Sequence, residues 1–469
     1  MDLPVIDTPV APRWVWIEEI TYSHIPIVTI VTAFMILAPI FEYIGWRRKD
    51  PRFERLAKSY IWFAMILFSP GSALGTGIPM WIIGAYPEFW SRWSNIFFWP
   101  LIAQFIFFLL EVFFLFFAYY LAWDAMAKRK GLHIFFGAVA AFWGICVQLV
   151  WDAVGGYMMT PGGAHLPGID QPVAWSAAAF FNPSTFILFI HRFFGNISYV
   201  MLLTGGVFAL RYKSKKLAPE EKAYFGWATN LMVTLGFLAF FAMPIIGWFY
   251  ARCIQTHAPV AFHAIMGGHS GYTFVAKMIT VAIFVLIGGT YMFARYKGKA
   301  LRWSITAGLV MLWVFFTIHP PLPYFGGGMT WRAFYTMGIV GFIAFLWMVK
   351  GGADFSSKRW CWSLFSAGIA AFLAFCMGGF VREASKNPHT VYQEIEKPEA
   401  TPFELDRFLV YDSCLQCHPH DRPTVLMGYG KRDWRKVLAT EPHPEAAAKM
   451  KLTEEELNRI VTYLEENVR

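Results

Sequence analysis

The residues with the most definite chemistry lie near the C-terminus. Cys414-Leu415-Gln416-Cys417-His418 reads C-x-x-C-H, the attachment signature of a c-type haem. The two thiols add to haem vinyl groups and the adjoining imidazole becomes an axial iron ligand. The spacing therefore gathers three groups around one porphyrin edge. A zinc half-site would want a second Cys pair, and a thioredoxin-like motif a βαβ pattern; neither accompanies this one. Met427, His443 and Met450 are candidates for the opposite axial position, Met being the usual partner. A second set is scattered: His24, Glu111, His191 and Glu383 fall within or at the ends of long apolar runs. An ionisable side chain there is costly and marks a functional-site hypothesis. The alternative for each is a polar contact between helices. Met337, also in an apolar run, has packing as its plain reading.

The elements that position these residues follow from composition. Of 469 residues, 57% are hydrophobic and only 15% charged, well below the ~25% charged of a typical soluble domain. Runs long enough to cross a bilayer occur at Ile25–Gly45, Tyr60–Tyr86, Pro100–Trp123, Ile134–Trp151, Phe186–Leu210, Phe225–Tyr250, Tyr272–Ala294, Trp303–Ile318, Ala333–Val349 and Trp360–Val381, each near the ~20 residues a spanning helix needs. The fold class is all-α: a polytopic membrane helix bundle of about ten spans with a small C-terminal cytochrome c-like domain. Loop charge supports the count. Arg47 to Lys58, Lys128 to Lys130, Arg211 to Lys222, Arg295 to Arg302 and Lys350 to Arg359 carry 21 basic residues in odd-numbered loops, against Arg92, Arg252 and Arg332 in even ones. Basic loops stay in the cytoplasm, so both termini and the C-x-x-C-H segment are expected on the periplasmic side of a bacterial inner membrane, where covalent haem attachment occurs. Met1–Glu19 contains Pro4, Pro9 and Pro12 and does not read as a cleavable signal. The net charge of +9 is spread over short loops and forms no nucleic-acid-binding face. Around the haem motif, Thr401–Tyr411 reads as a short helix. Thr453-Glu454-Glu455-Glu456 opens a terminal one with Leu457, Ile460, Val461 and Leu464 on one face.

Five strings in the apolar region carry a resemblance. They are Tyr22-Ser23-His24 with Pro26 and Glu42 following; Ala73-Leu74-Gly75-Thr76-Gly77; Asn182-Pro183 with His191 after it; Phe334-Tyr335-Thr336-Met337; and Glu383-Ala384-Ser385-Lys386-Asn387-Pro388-His389-Thr390-Val391-Tyr392. In this order they resemble subunit I of the cytochrome bd-type quinol oxidases over residues 20–395. The resemblance implies that residues 1–395 form a membrane haem domain and residues 396–469 a cytochrome c domain. It implies His191 and Met337 as axial ligands of a low-spin haem b. It implies His24 and Glu383 as ligands of a di-haem site holding a haem b and a second haem b or haem d. Glu111 would match one of two proton-path carboxylates; the other falls at Ala103 or Gln104, neither acidic. It also implies a second, related membrane subunit.

The sequence departs from that pattern in several places. The long quinol-binding loop after the sixth helix is replaced by the runs Tyr272–Ala294 and Trp303–Ile318. Tyr335 stands where the family has Arg, and Ser385-Lys386-Asn387-Pro388-His389 where it has G-R-Q-P-W. The expected function is a respiratory electron-transfer subunit passing electrons among haem c, haem b and a di-haem site, reducing oxygen from a c-type cytochrome or quinol. The rival is a conduit from quinol to an external acceptor within a larger respiratory complex.

Overall fold

The computed structural model describes Val10 and residues 13–161, 174–258, 271–295, 358–383, 433–440 and 442–467, with a few isolated residues between these stretches. Among the described residues there is no strand. The helices are α1 (Arg13–Arg48), α2 (Pro51–Ala85), α3 (Pro87–Ile96) and α4 (Phe98–Val112), which continues as a π-helix over Phe113–Tyr120. There follow α5 (Lys130–Met159), the single turn α6 (Ala177–Phe180), α7 (Thr185–Tyr212), α8 (Pro219–His257), α9 (Gly271–Arg295) and α10 (Lys358–Glu383). The tail holds α11 (Trp434–Leu438), α12 (His443–Lys449) and α13 (Glu454–Asn467). Seven of the described helices are long and apolar enough to cross a membrane. The predicted run Tyr272–Ala294 is helical as α9; the predicted runs Trp303–Ile318 and Ala333–Val349 lie outside the described residues.

Local sequence explains where the long helices start and how they tolerate proline. Asp50 caps α2, its Oδ1 accepting from the Arg52 N–H at 3.0 Å, and Pro51 takes the first position, where no N–H is needed. The Arg52 guanidinium bonded to Asp50 also holds that carboxyl below its ordinary pKa. Pro26 and Pro39 interrupt α1. Near Pro26 the Thr29 hydroxyl bonds back to the carbonyls of Ile25 (2.9 Å) and Pro26 (3.0 Å), and the Tyr199 hydroxyl reaches the Pro26 carbonyl at 3.3 Å. Such bonds from a hydroxyl to the carbonyls of the preceding turn are the usual way a Thr side chain is satisfied inside a lipid-embedded helix.

The chain divides into two compact units, residues 1–155 with 163–200 and residues 156–162 with 201–469. In the first, α1 lies along α2, and Phe34 stacks on Tyr60 with ring centroids 4.4 Å apart. The outward side of α4 and the π-helix is apolar and open: Phe105, Leu109, Phe113 and Phe117 are each about half exposed, as a face meeting lipid would be. In the second unit, α7 and α10 meet backbone to backbone. A Cβ on Gly206 would come within 2.8 Å of the Leu364 carbonyl oxygen, and one on Gly368 within 2.8 Å of Leu203 Cα. Lipid gives no hydrophobic drive to helix pairing, so small residues that allow close packing carry it. The C-terminal segment has its own small core of Val410, Trp434, Ile460, Val461, Tyr463 and Leu464.

Candidate functional site

His24 sits eleven residues into α1, and α2 builds its surroundings. Its Nδ1–H donates to the Gly71 carbonyl at 2.9 Å. That bond places the ring proton on Nδ1 and leaves the lone pair on Nε2, the tautomer that can bind a metal. The ring lies directly against Gly75: a Cβ there would be 2.7 Å from His24 Cε1. Glycine at 71 and 75, one turn apart, thus supplies both the orienting acceptor and the space for the imidazole. These features fit an iron ligand whose second nitrogen is tied to the protein.

Glu111 is buried near the end of α4. Its Oε1 lies 3.2 Å from where a Cβ on Gly144 of α5 would be, with Met35 Cε of α1 alongside. The helix changes register two residues later, from α to π; such segments recur at functional sites.

His191 lies in the second turn of α7, half-buried. The Asn182-Pro183 string before it acts as an anchor. Asn182 Nδ2 donates to the carbonyls of Ala153 (2.8 Å) and Ala179 (2.9 Å), and its Oδ1 accepts from the Ser184 N–H at 3.2 Å. Next to His191, Arg192 pairs with the buried Asp152, whose other oxygen accepts from Gln148 Nε2 at 3.1 Å; Gln148 in turn accepts from Asn196. Sequence reading missed this network: Asp152 falls just past the run Ile134–Trp151 and reads as a loop residue, and nothing in the sequence pairs it with Arg192 inside the run Phe186–Leu210.

Glu383 closes α10 in the second unit. Arg382 Nη2 donates to its Oε1 at 2.7 Å, and Lys386 pairs with its Oε2. Both carboxylate oxygens are thus engaged by cations, each keeping a further lone pair. Met337, Cys417, His418 and Met427 lie outside the described residues. Cys414 is described and packs against the C-terminal core of Trp434 and Ile460. His443 opens α12 with its Nδ1 donating to the Thr440 carbonyl at 3.0 Å, and Met450 ends that helix half-buried.

A second cluster was also missed as a unit. Glu42, fully buried, accepts from the Tyr119 hydroxyl (2.8 Å) and stands 2.8 Å from His133 Nδ1 and 3.0 Å from Lys130 Nζ. The sequence signals its members singly, Glu42 in the first string and Lys130 as a loop charge. Their meeting depends on helix packing across 91 residues of chain.

A membrane bundle, helical throughout its described residues, that fixes an imidazole tautomer and buries carboxylates in its spans fits a polytopic membrane oxidoreductase. A family model, that of the cytochrome bd terminal oxidase subunit I, matches residues 16–410. The chain belongs to the cytochrome bd terminal oxidase subunit I family. Among solved structures it is similar to a chain of the bd oxidase from Geobacillus thermodenitrificans, with 16% identity and a TM-score of 0.55, over 80% of this chain and 97% of that one. No curated protein matches it. Membership makes the chain a respiratory, multi-pass membrane oxidoreductase of a family that uses haems b and d, respiratory quinol and a second subunit.

Proposed function

We infer that this chain is a bd-type respiratory subunit that passes electrons from an appended haem c through a low-spin haem b to a di-haem site where oxygen is reduced. His24 and Glu383 are the residues assigned to the di-haem site, His191 and Met337 to the low-spin haem b, and Cys414, Cys417 and His418 to haem c. Residues 396–469 would be the cytochrome c domain, on the periplasmic side. The observation that carries the reading is the His24 cradle, where Gly71 fixes the tautomer and Gly75 leaves room for the ring. Cys414 against the C-terminal core supports the haem c assignment. When bound, the haems supply the one-electron and oxygen chemistry; this chain orients their ligands and delivers protons. For delivery the assigned carrier is Glu111, buried beside α5 with Gly144 giving it space. The donor is read as a c-type cytochrome or quinol. The family's quinol loop is replaced by apolar sequence, which favours the c-type route.

One observation favours a second reading, a conduit to an external acceptor without oxygen reduction. Arg382 and Lys386 occupy both oxygens of Glu383 and draw electron density from a would-be iron ligand. Pyridine haemochrome analysis of the purified complex, with a carbon monoxide difference spectrum, separates the two. The oxidase reading expects haem c, haem b and a carbon-monoxide-reactive high-spin haem. Low-spin b and c haems alone would establish the conduit.

A further inference from the structure

The Glu42–His133 cluster lies at the end of the first unit that carries the Arg47–Lys58 and Lys128–Lys130 loops, and the functional assignment above leaves it unused. Its hydrogen bonds can be counted. His133 Nδ1 faces a Glu42 oxygen at 2.8 Å, and Nε2 faces the Tyr119 carbonyl at 2.9 Å. Both neighbours are acceptors, yet a neutral imidazole has one N–H. Either the ring carries two protons, or Glu42 carries one and donates it to Nδ1. In both cases the pair holds one proton more than a neutral imidazole beside a bare carboxylate. Glu42 and His133 side chains are fully buried, so this proton is held in a site closed to bulk water.

The site has two arms. On the aqueous side, Lys130 Nζ bridges Glu42 Oε1 (3.0 Å) to Glu54 Oε1 (3.5 Å); the Lys130 side chain is 13% exposed and that of Glu54 39%. On the inner side, the Tyr119 hydroxyl donates to Glu42 Oε2 at 2.8 Å, and Tyr119 belongs to the π-helix that starts two residues after Glu111. The charged groups facing the pair are Glu54 from α2 and Lys130 from α5, with the titratable but neutral Tyr119 hydroxyl from the π-helix; Lys58 and Asp124 form a separate, exposed ion pair nearby.

We propose that Glu42 and His133, served by Lys130 and Tyr119, form a proton-holding station that takes protons from the aqueous side and supplies Glu111. The station rests on the reading of Glu111 as a proton carrier. One proton leaves the pair for the interior and one enters past Lys130 and Glu54; only N–H and O–H bonds exchange.

The test uses the purified holo-complex. Isotope-edited infrared spectra, with labelled histidine for the ring bands and labelled glutamate for the carboxyl bands and the haems kept oxidised, report the proton on either partner. Wild type should show an imidazolium or a buried carboxylic acid that Glu42→Gln removes; a neutral imidazole beside a bare carboxylate overturns the station. This measurement stands even if the complex consumes no oxygen, an outcome that would sink the oxidase reading alone. In a turning-over complex, Glu42→Gln should slow oxygen consumption, on the order of a hundredfold for a lost proton-transfer group, with haem content unchanged. Because station and carrier act in series, Glu42→Gln with Glu111→Gln should be no slower than the slower single variant. Multiplying effects, or normal turnover, overturn the proposal. If Glu42→Gln does not assemble, Lys130→Gln at the partly exposed mouth tests the same arm. It should slow turnover and shift its pH profile, and an unchanged profile counts against the station.

Discussion

A methyl group at position 75 would land 2.7 Å from Cε1 of His24, closer than real Cβ contacts come, while at position 77 the nearest atom is Ile20 Cγ2 at 4.0 Å. The two glycines therefore make a matched pair of probes. Gly75→Ala must push the imidazole off its bond to Gly71 or move α1 from α2, an overpacking cost of about 1–3 kcal/mol. It should remove the carbon-monoxide-reactive haem signal while leaving covalent haem c intact. Gly77→Ala should leave both unchanged. An unaltered spectrum in Gly75→Ala would detach His24 from the haem site. At this scale His24 and Glu111 stand out in the sequence as ionisable groups in apolar runs, while their surroundings, the Gly71 carbonyl for one and the space at Gly144 for the other, come from other helices. What could not be read was partnership. Asp152 and Arg192 are 40 residues apart, and only helix packing shows that they neutralise each other beside His191.

Among elements, α13 gives the most direct measurement. Thr453 and Glu456 form the predicted capping box: the Thr453 N–H donates to Glu456 Oε2 at 2.8 Å, and the Glu456 N–H donates to Thr453 Oγ1 at 3.2 Å. Thr453→Ala should cost about 1 kcal/mol of local stability. Amide exchange across α13 in the full chain would then quicken about fivefold. The backbone bond from Thr453, then its hydroxyl, holds the Glu456 carboxyl below its ordinary 4.5. The cap is therefore fully present above that value and weakens as pH falls through the lower folded one. Exchange that is indifferent to acid over this range would contradict the assignment. The same helix was legible from its apolar stripe and cap. The π-helix after α4 was not: Pro100–Trp123 read as one plain span, because hydropathy reports burial in lipid and is blind to hydrogen-bond register.

For the whole molecule, the haem c proposal rests on the expectation, drawn from the alternation of basic loops, that the C-x-x-C-H segment faces the periplasm. Replacing Cys414 and Cys417 together by Ala should abolish haem staining on a denaturing gel; a persistent stain would mean the motif is not an attachment site. The bundle itself was legible because spanning runs must be long and apolar. The Glu42 cluster was not, since Lys130 reads as a loop charge and Glu42 as one residue of the first string, and nothing in the sequence pairs them. That cluster and His24 share one helix. Eighteen residues separate Glu42 from His24 on α1, about 27 Å at 1.5 Å per residue, close to the ~30 Å thickness of the hydrocarbon core. Proton supply from the one to the depth of the other would be electrical work. Each charge moved across the full membrane potential is worth about 2.3 kcal/mol per 100 mV, so α1 would measure out nearly the whole voltage drop between its buried glutamate and its histidine.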